Sequence, residues 1–140
     1  MNFIFSFIIS IIIFMVLDGS WITYNYKYYM TLNKKIQKEP FVLKIPAILI
    51  AYIILCIGLY LFFLFLINEK NQKNKYLKSF LYGCLYGLVI YGTYSFTSCS
   101  YYKNYTYYDG LIDTLWGMIL FGITGIIFIS IYKSPSIRSY

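Results

Sequence analysis

The sequence predicts an all-α integral membrane protein, a bundle of four transmembrane helices over residues 3–26, 45–68, 79–102 and 110–132. Three observations predict it. Apolar residues make up 60% of the chain and charged residues 12%; mean hydropathy is +0.64; and the apolar residues fall in four runs, each bounded by charge. A soluble domain carries about 25% charged residues, so this chain has too little charge to cover a water-facing surface. A spanning helix needs about 20 mostly apolar residues, and each run meets that length.

Residues 3–26 carry one charge, Asp18, and end at Lys27. The run lacks a preceding lysine or arginine, and Val16-Leu17-Asp18-Gly19-Ser20 offers no clean small-x-small cleavage site, so it reads as a retained helix rather than a signal peptide. Residues 45–68 carry no charge and lie between Lys44 and Glu69, with Pro46 in the first turn, where its missing N–H costs nothing. This helix has no strong polar group and is expected to face lipid most. Residues 79–102 are uncharged between Lys78 and Lys103, and 110–132 carry only Asp113 before Lys133. The connections 27–44, 69–78 and 103–109 are rich in lysine, asparagine or tyrosine and too short for a separate soluble domain. One domain, 1–140, is expected.

The net charge is +7, from twelve basic and five acidic side chains. Basic residues interleaved with tyrosine suit nucleic acid, but these lysines flank apolar runs, where cations meet lipid headgroups. The bilayer is the expected partner and nucleic acid is not. Orientation is undetermined, because cations split evenly between the two sides. Cys56, Cys84 and Cys99 sit inside apolar runs at no metal-ligand spacing and read as small hydrophobes. Histidine is absent, which removes the commonest general base and metal ligand. No phosphate-binding loop, nucleophile elbow, zinc pattern or dinucleotide fingerprint is present, so no metal or cofactor is expected.

Four antiparallel spans bring the end of the first, the end of the third and the start of the fourth to one side. Three polar stretches then share a depth: Asp18 to Trp21, Tyr94 to Ser100, and Asp109 to Trp116. Nine of the eighteen tyrosines gather at the same side, and tyrosine favours the headgroup boundary. Asp18 and Trp21 are spaced i, i+3, as are Asp113 and Trp116, which puts each carboxyl and indole on one helix face. Asp109 extends the second acidic face toward water. An ionised aspartate at mid-span costs about 2.5–3.5 kcal/mol, so these acids are expected to point inward, paired or sharing a proton. The candidate pocket comprises Asp18, Trp21, Tyr94, Thr97, Ser98, Asp113 and Trp116. Serine and threonine in such helices also act as interhelical glue, and tryptophan as an interface anchor. Gly83-x-x-x-Gly87 and Gly117 mark close helix approach.

Leu17-Asp18-Gly19-Ser20-Trp21 and Asp113-Thr114-Leu115-Trp116-Gly117 resemble motifs of a family of small membrane proteins, domain of unknown function 2177. That family closes its first span with Leu-Asp-x-x-Trp, carries Tyr-Asp-x-Thr-Asn near the end of the third, and opens the fourth with Asp-x-x-Trp-Gly. Here the middle motif reads Tyr94-Ser95-Phe96-Thr97-Ser98, with serine in place of both the aspartate and the asparagine. The resemblance runs through nearly the whole chain in order and spacing. It implies four spans and a polar cluster as a family feature, and it implies no reaction.

The function expected is a binding or transport-type protein whose acidic pocket beneath one interface holds a proton, a cation or a lipid headgroup. A membrane-embedded lipid-modifying enzyme is the alternative, disfavoured by the missing third acid and the absent histidine. A structural subunit without catalysis is another, acting through a membrane-protein partner. Glycine faces also suit a homo-oligomer.

Overall fold

The computed structural model describes residues 2–39, 42, 44–68 and 74–132. Residues 69–73 of the 69–78 turn, including Lys70 and Lys73, and the tail with Lys133 and Arg138 lie outside these residues. The described elements are all helical: α1 (Phe3–Tyr24), α2 (Tyr26–Gln37), α3 (Ile45–Asn68), α4 (Lys75–Gly87), a π-helical turn (Leu88–Gly92), α5 (Thr93–Tyr101) and α6 (Tyr107–Ile131). Helices α1, α3 and α6 are long and apolar enough to cross a membrane. The run expected over 79–102 is helical from Lys75 to Tyr101, with its α-helical ladder interrupted by the π turn.

Helix ends follow local chemistry. The Asn2 side chain accepts a hydrogen bond from the Phe5 amide at 3.0 Å and caps α1. Thr106 and Asp109 cap α6 reciprocally: each side chain accepts from the other's backbone N–H. Helix α1 breaks at Asn25, whose amide donates to the Trp21 carbonyl.

The break leads into α2, where the hydropathy pattern predicts only the 27–44 connection. Tyr28, Tyr29, Leu32, Asn33 and Ile36 recur at helical spacing and turn inward, whereas Lys27, Thr31, Lys34 and Lys35 are exposed. Its lysines and asparagine make it too polar to span, but that pattern suits a helix at a boundary, lysines toward headgroups and aromatic face inward. Asn104 donates to the Lys35 carbonyl at 2.6 Å, tying α2 to the loop before α6.

Helix α6 is the centre of the bundle, touching α1, α3, α4, the π turn and α5. Glycine allows its closest contact. A Cβ on Gly83 would strike the Phe121 carbonyl, and one on Gly87 the Gly117 carbonyl, so α4 lies directly on the α6 backbone. Gly122 receives Phe80 and Cys84, and Gly125 receives the Ser79 carbonyl. These glycine faces are therefore filled within one chain. Aromatic rings fill the remainder: Phe63 stacks on Phe128 at 4.0 Å, and Phe14 meets Phe121 edge-on at 5.1 Å. Helix α3 is mostly exposed, with Leu59, Phe62, Phe63 and Leu66 buried near its C-terminal end.

The π turn shifts the buried face of the third helical run. Below it the buried positions are Ser79, Gly83 and Gly87, four apart; above it they are Gly92, Ser95 and Ser98. The five-residue step from Gly87 to Gly92 absorbs one extra residue.

Gly83→Ala or Gly87→Ala should push α4 off α6 and cost about 1–3 kcal/mol, whereas Gly19→Ala, with nothing within 4 Å, should be neutral. Unfolding midpoints of the three variants in one detergent check this.

Candidate functional site

The two Asp-x-x-Trp turns meet where α1 ends and α6 begins. Trp21 and Trp116 stack face to face, ring centroids 4.5 Å apart and planes 6° from parallel. Each indole then serves the opposite motif. Trp116 Nε1 on α6 donates to Asp18 Oδ1 on α1 at 3.2 Å. Trp21 Nε1 on α1 donates to the Tyr29 hydroxyl at 2.9 Å, and Tyr29 donates to Asp113 Oδ1 on α6 at 2.8 Å. Antiparallel packing of two copies of one short pattern produces this exchange, and α2 supplies the tyrosine that completes it.

All three acids in the described spans are held by hydroxyl donors. Asp18, buried in the same row of α1 as Ser6, Ser10 and Phe14, also accepts from Tyr52 of α3 at 3.2 Å and from Tyr91 of the π turn at 3.4 Å. Asp113 accepts at its other oxygen from Tyr105 at 2.9 Å. Asp109 accepts from the Thr106 hydroxyl at 2.6 Å, from the Thr106 amide at 2.8 Å, and from Tyr28 of α2. Only 8% of its surface is exposed, so it caps a helix and anchors α2 instead of extending an acidic face into water. Asp18 and Asp113 are not hydrogen-bonded to each other; the paired arrangement expected between them is replaced by separate sets of aromatic donors.

Gly117 belongs to this geometry. A Cβ there would collide with the Tyr91 ring; its absence lets Tyr91 cross α6 and reach Asp18.

One open pocket of about 440 Å³ receives these groups. Six of the sequence-predicted residues line it: Asp18, Trp21, Tyr94, Ser98, Asp113 and Trp116. Thr97 does not; it is exposed, because the π turn rotates the third run so that Ser95 and Ser98 are the inward pair. The wall is completed by Ile22, Tyr29, Leu32, Asn33, Ile36, Gln37, Tyr91, Tyr102 and Tyr105. No lysine or arginine lines it among the described residues, although the chain carries +7. The hydroxyls of Ser95 and Ser98 are fully buried and make no hydrogen bond of good geometry; each has only a looser contact with a tyrosine hydroxyl, Ser95 with Tyr105 and Ser98 with Tyr94. Among the described residues no group of three or more histidine, cysteine, aspartate or glutamate side chains gathers as for a metal ion.

The residues that sequence reasoning missed are the donors: Tyr28, Tyr29, Tyr52, Tyr91 and Tyr105. A usable signal existed for Tyr29, which shares helical spacing with Leu32, Asn33 and Ile36. Tyr52 and Tyr91 looked like any other tyrosine in an apolar run.

Burial, then the neighbouring carboxylates, raise the Tyr28, Tyr29 and Tyr105 hydroxyls above the ordinary tyrosine range, because a phenolate beside an aspartate is doubly disfavoured. A phenol with its pKa raised on folding stabilises the protein fully below its unfolded value of about 10, and that contribution is lost as pH climbs beyond it. Tyr29→Phe should cost about 1.5–3 kcal/mol at neutral pH, and each of the three Tyr→Phe variants should remove amplitude only from the most alkaline part of a tyrosinate absorbance titration. Loss of amplitude near the ordinary value would contradict the bonding described.

The family model described as "Predicted membrane protein (DUF2177)" matches residues 3–130. No curated protein and no solved structure matches the chain.

Proposed function

The chain belongs to this family of predicted membrane proteins, and from that premise we propose that it is a binding or transport-type protein whose acidic pocket, just beneath one interface, holds a cationic group. The observation that carries the reading is one of charge: Asp18 and Asp113 line a single pocket that no described basic side chain lines.

A carboxylate within a membrane protein is stable when its oxygens are satisfied or its charge is balanced. The tyrosine hydroxyls and the indole N–H provide the first at both acids, but they are neutral and leave the charge in place. An incoming cation supplies the second. A carboxylate also offers about four acceptor sites; Asp113 has two occupied, by Tyr29 and Tyr105, and keeps capacity for a ligand. Asp18, with three donors around it, contributes field more than direct contact. Aromatic walls suit cations as well, through the negative face of the ring. The low dielectric around the pocket strengthens each of these attractions relative to water.

Both tryptophans of the chain line the pocket, so their fluorescence reports on it, and Trp116 is the cleaner probe because Trp21 also lines a neighbouring cleft. With the full chain in nanodiscs, the cationic quencher N-methylpicolinium should quench at lower concentration than iodide, and Asp113→Asn should reduce that preference by about tenfold while the thermal midpoint shows the bundle still folded. Equal quenching by both ions, or an unchanged preference in a folded Asp113→Asn protein, would refute the reading.

A further inference from the structure

Resting on the cation-pocket reading, we propose that the ligand is a primary ammonium carried on an apolar body, either a free hydrophobic amine or the amine headgroup of a lipid. Three features of the pocket separate this class from inorganic cations and from quaternary amines.

The first is the aromatic wall. Both indole N–H groups are already committed, Trp21 to Tyr29 and Trp116 to Asp18, so what the stacked pair has left to offer is π surface. That surface attracts ammonium groups with their attached carbons. A magnesium or calcium ion asks instead for six or more oxygen ligands, and much of the carboxylate surface here is taken by tyrosine.

The second feature is Ser98. It lines the pocket, it is fully buried, and its Oγ makes no hydrogen bond of good geometry, having only a looser contact with the Tyr94 hydroxyl. A buried unpaired hydroxyl costs free energy until something pairs with it. Ser98 and Asp113 line the same pocket, so this oxygen and the free acceptor capacity of Asp113 are both offered to N–H donors. A primary ammonium brings three N–H bonds; a quaternary ammonium brings none and leaves the serine unpaired.

The third feature is the remainder of the wall. Ile22, Leu32 and Ile36 provide apolar surface in the same cavity, and about 440 Å³ accommodates an organic ligand rather than a bare ion. The ammonium and an apolar body therefore have separate places.

The test uses tryptophan emission of the full chain in nanodiscs of phosphatidylcholine, titrated with hexylammonium, tetramethylammonium, hexanol, potassium and magnesium. Hexylammonium should saturate, and tetramethylammonium should bind about tenfold more weakly, as expected when hydrogen bonds to charged groups are lost. Ser98→Ala, a small change that preserves the fold, should weaken hexylammonium several-fold and leave tetramethylammonium unchanged. Replacing part of the phosphatidylcholine with phosphatidylethanolamine assigns the source. Competition by that lipid identifies a headgroup ligand, and its absence a free amine; either result supports the ammonium class. If potassium or magnesium binds and hexylammonium does no better, the ammonium assignment is overturned while the cation pocket stands. If hexanol matches hexylammonium, or no cation changes the emission, both fall. Equal loss of both amines in Ser98→Ala also overturns the assignment, because it removes the hydrogen-bond preference.

Discussion

The structure depends on an exchange between two short turns: each tryptophan satisfies the aspartate of the other helix. Trp116 reaches Asp18 directly, and Trp21 reaches Asp113 through Tyr29. Charge within a membrane helix must be met by donors from elsewhere; here Asp18 takes Trp116 from α6 with Tyr52 and Tyr91, and Asp113 takes Tyr105 and Tyr29, the latter held by Trp21 of α1. The stacked indoles make the exchange rigid, because neither ring can turn without breaking its own bond and its partner's stacking contact. Helix α1, helix α6 and the boundary helix α2 are thereby set in one register at a single point.

The rest of the bundle holds that point still. Backbone contact at Gly83 and Gly87 fixes the third helical run against α6 with no side chain between them. The same closeness at Gly117 opens the path along which Tyr91 reaches Asp18. Packing and polar geometry are thus continuous, since one glycine serves both. Farther down, Phe14, Phe63, Phe121 and Phe128 form a rigid aromatic core. Dispersion between well-fitted rings takes the place of the hydrophobic drive that lipid cannot supply.

Much of this was legible in the sequence. Run length and the charges at run ends locate α1, α3 and α6 to within a few residues, because the bilayer sets both. The repeated Asp-x-x-Trp pattern, together with antiparallel topology, brings Asp18, Trp21, Asp113 and Trp116 to one depth. Less visible was α2, whose lysines and asparagine masked a clear helical period in Tyr28, Tyr29, Leu32, Asn33 and Ile36. A hydropathy reading rewards apolar length, and a boundary helix has little of it. The tyrosine donors were hidden by abundance: of eighteen tyrosines, five face a carboxylate, and beyond the helical period of Tyr28 and Tyr29 nothing local marks them. Thr97 entered through the polar stretch Tyr94 to Ser100, which sets depth but not face; the buried face there belongs to Gly92, Ser95 and Ser98.

That π turn bears on how the chain tolerates length changes. One residue more or less in a regular helix rotates everything beyond it by about 100°, a change that few buried faces survive. Here the surplus residue is already stored between Gly87 and Gly92. Deleting one position in Leu88–Gly92 would restore an ordinary ladder while Gly83 and Gly87 stay seated on α6 and Ser95 and Ser98 keep their inward phase. The cost falls on the turn itself, where Tyr91 would lose the position from which it reaches Asp18. A change of one residue in length is therefore absorbed locally, and it acts on the pocket through one tyrosine instead of through the whole helix.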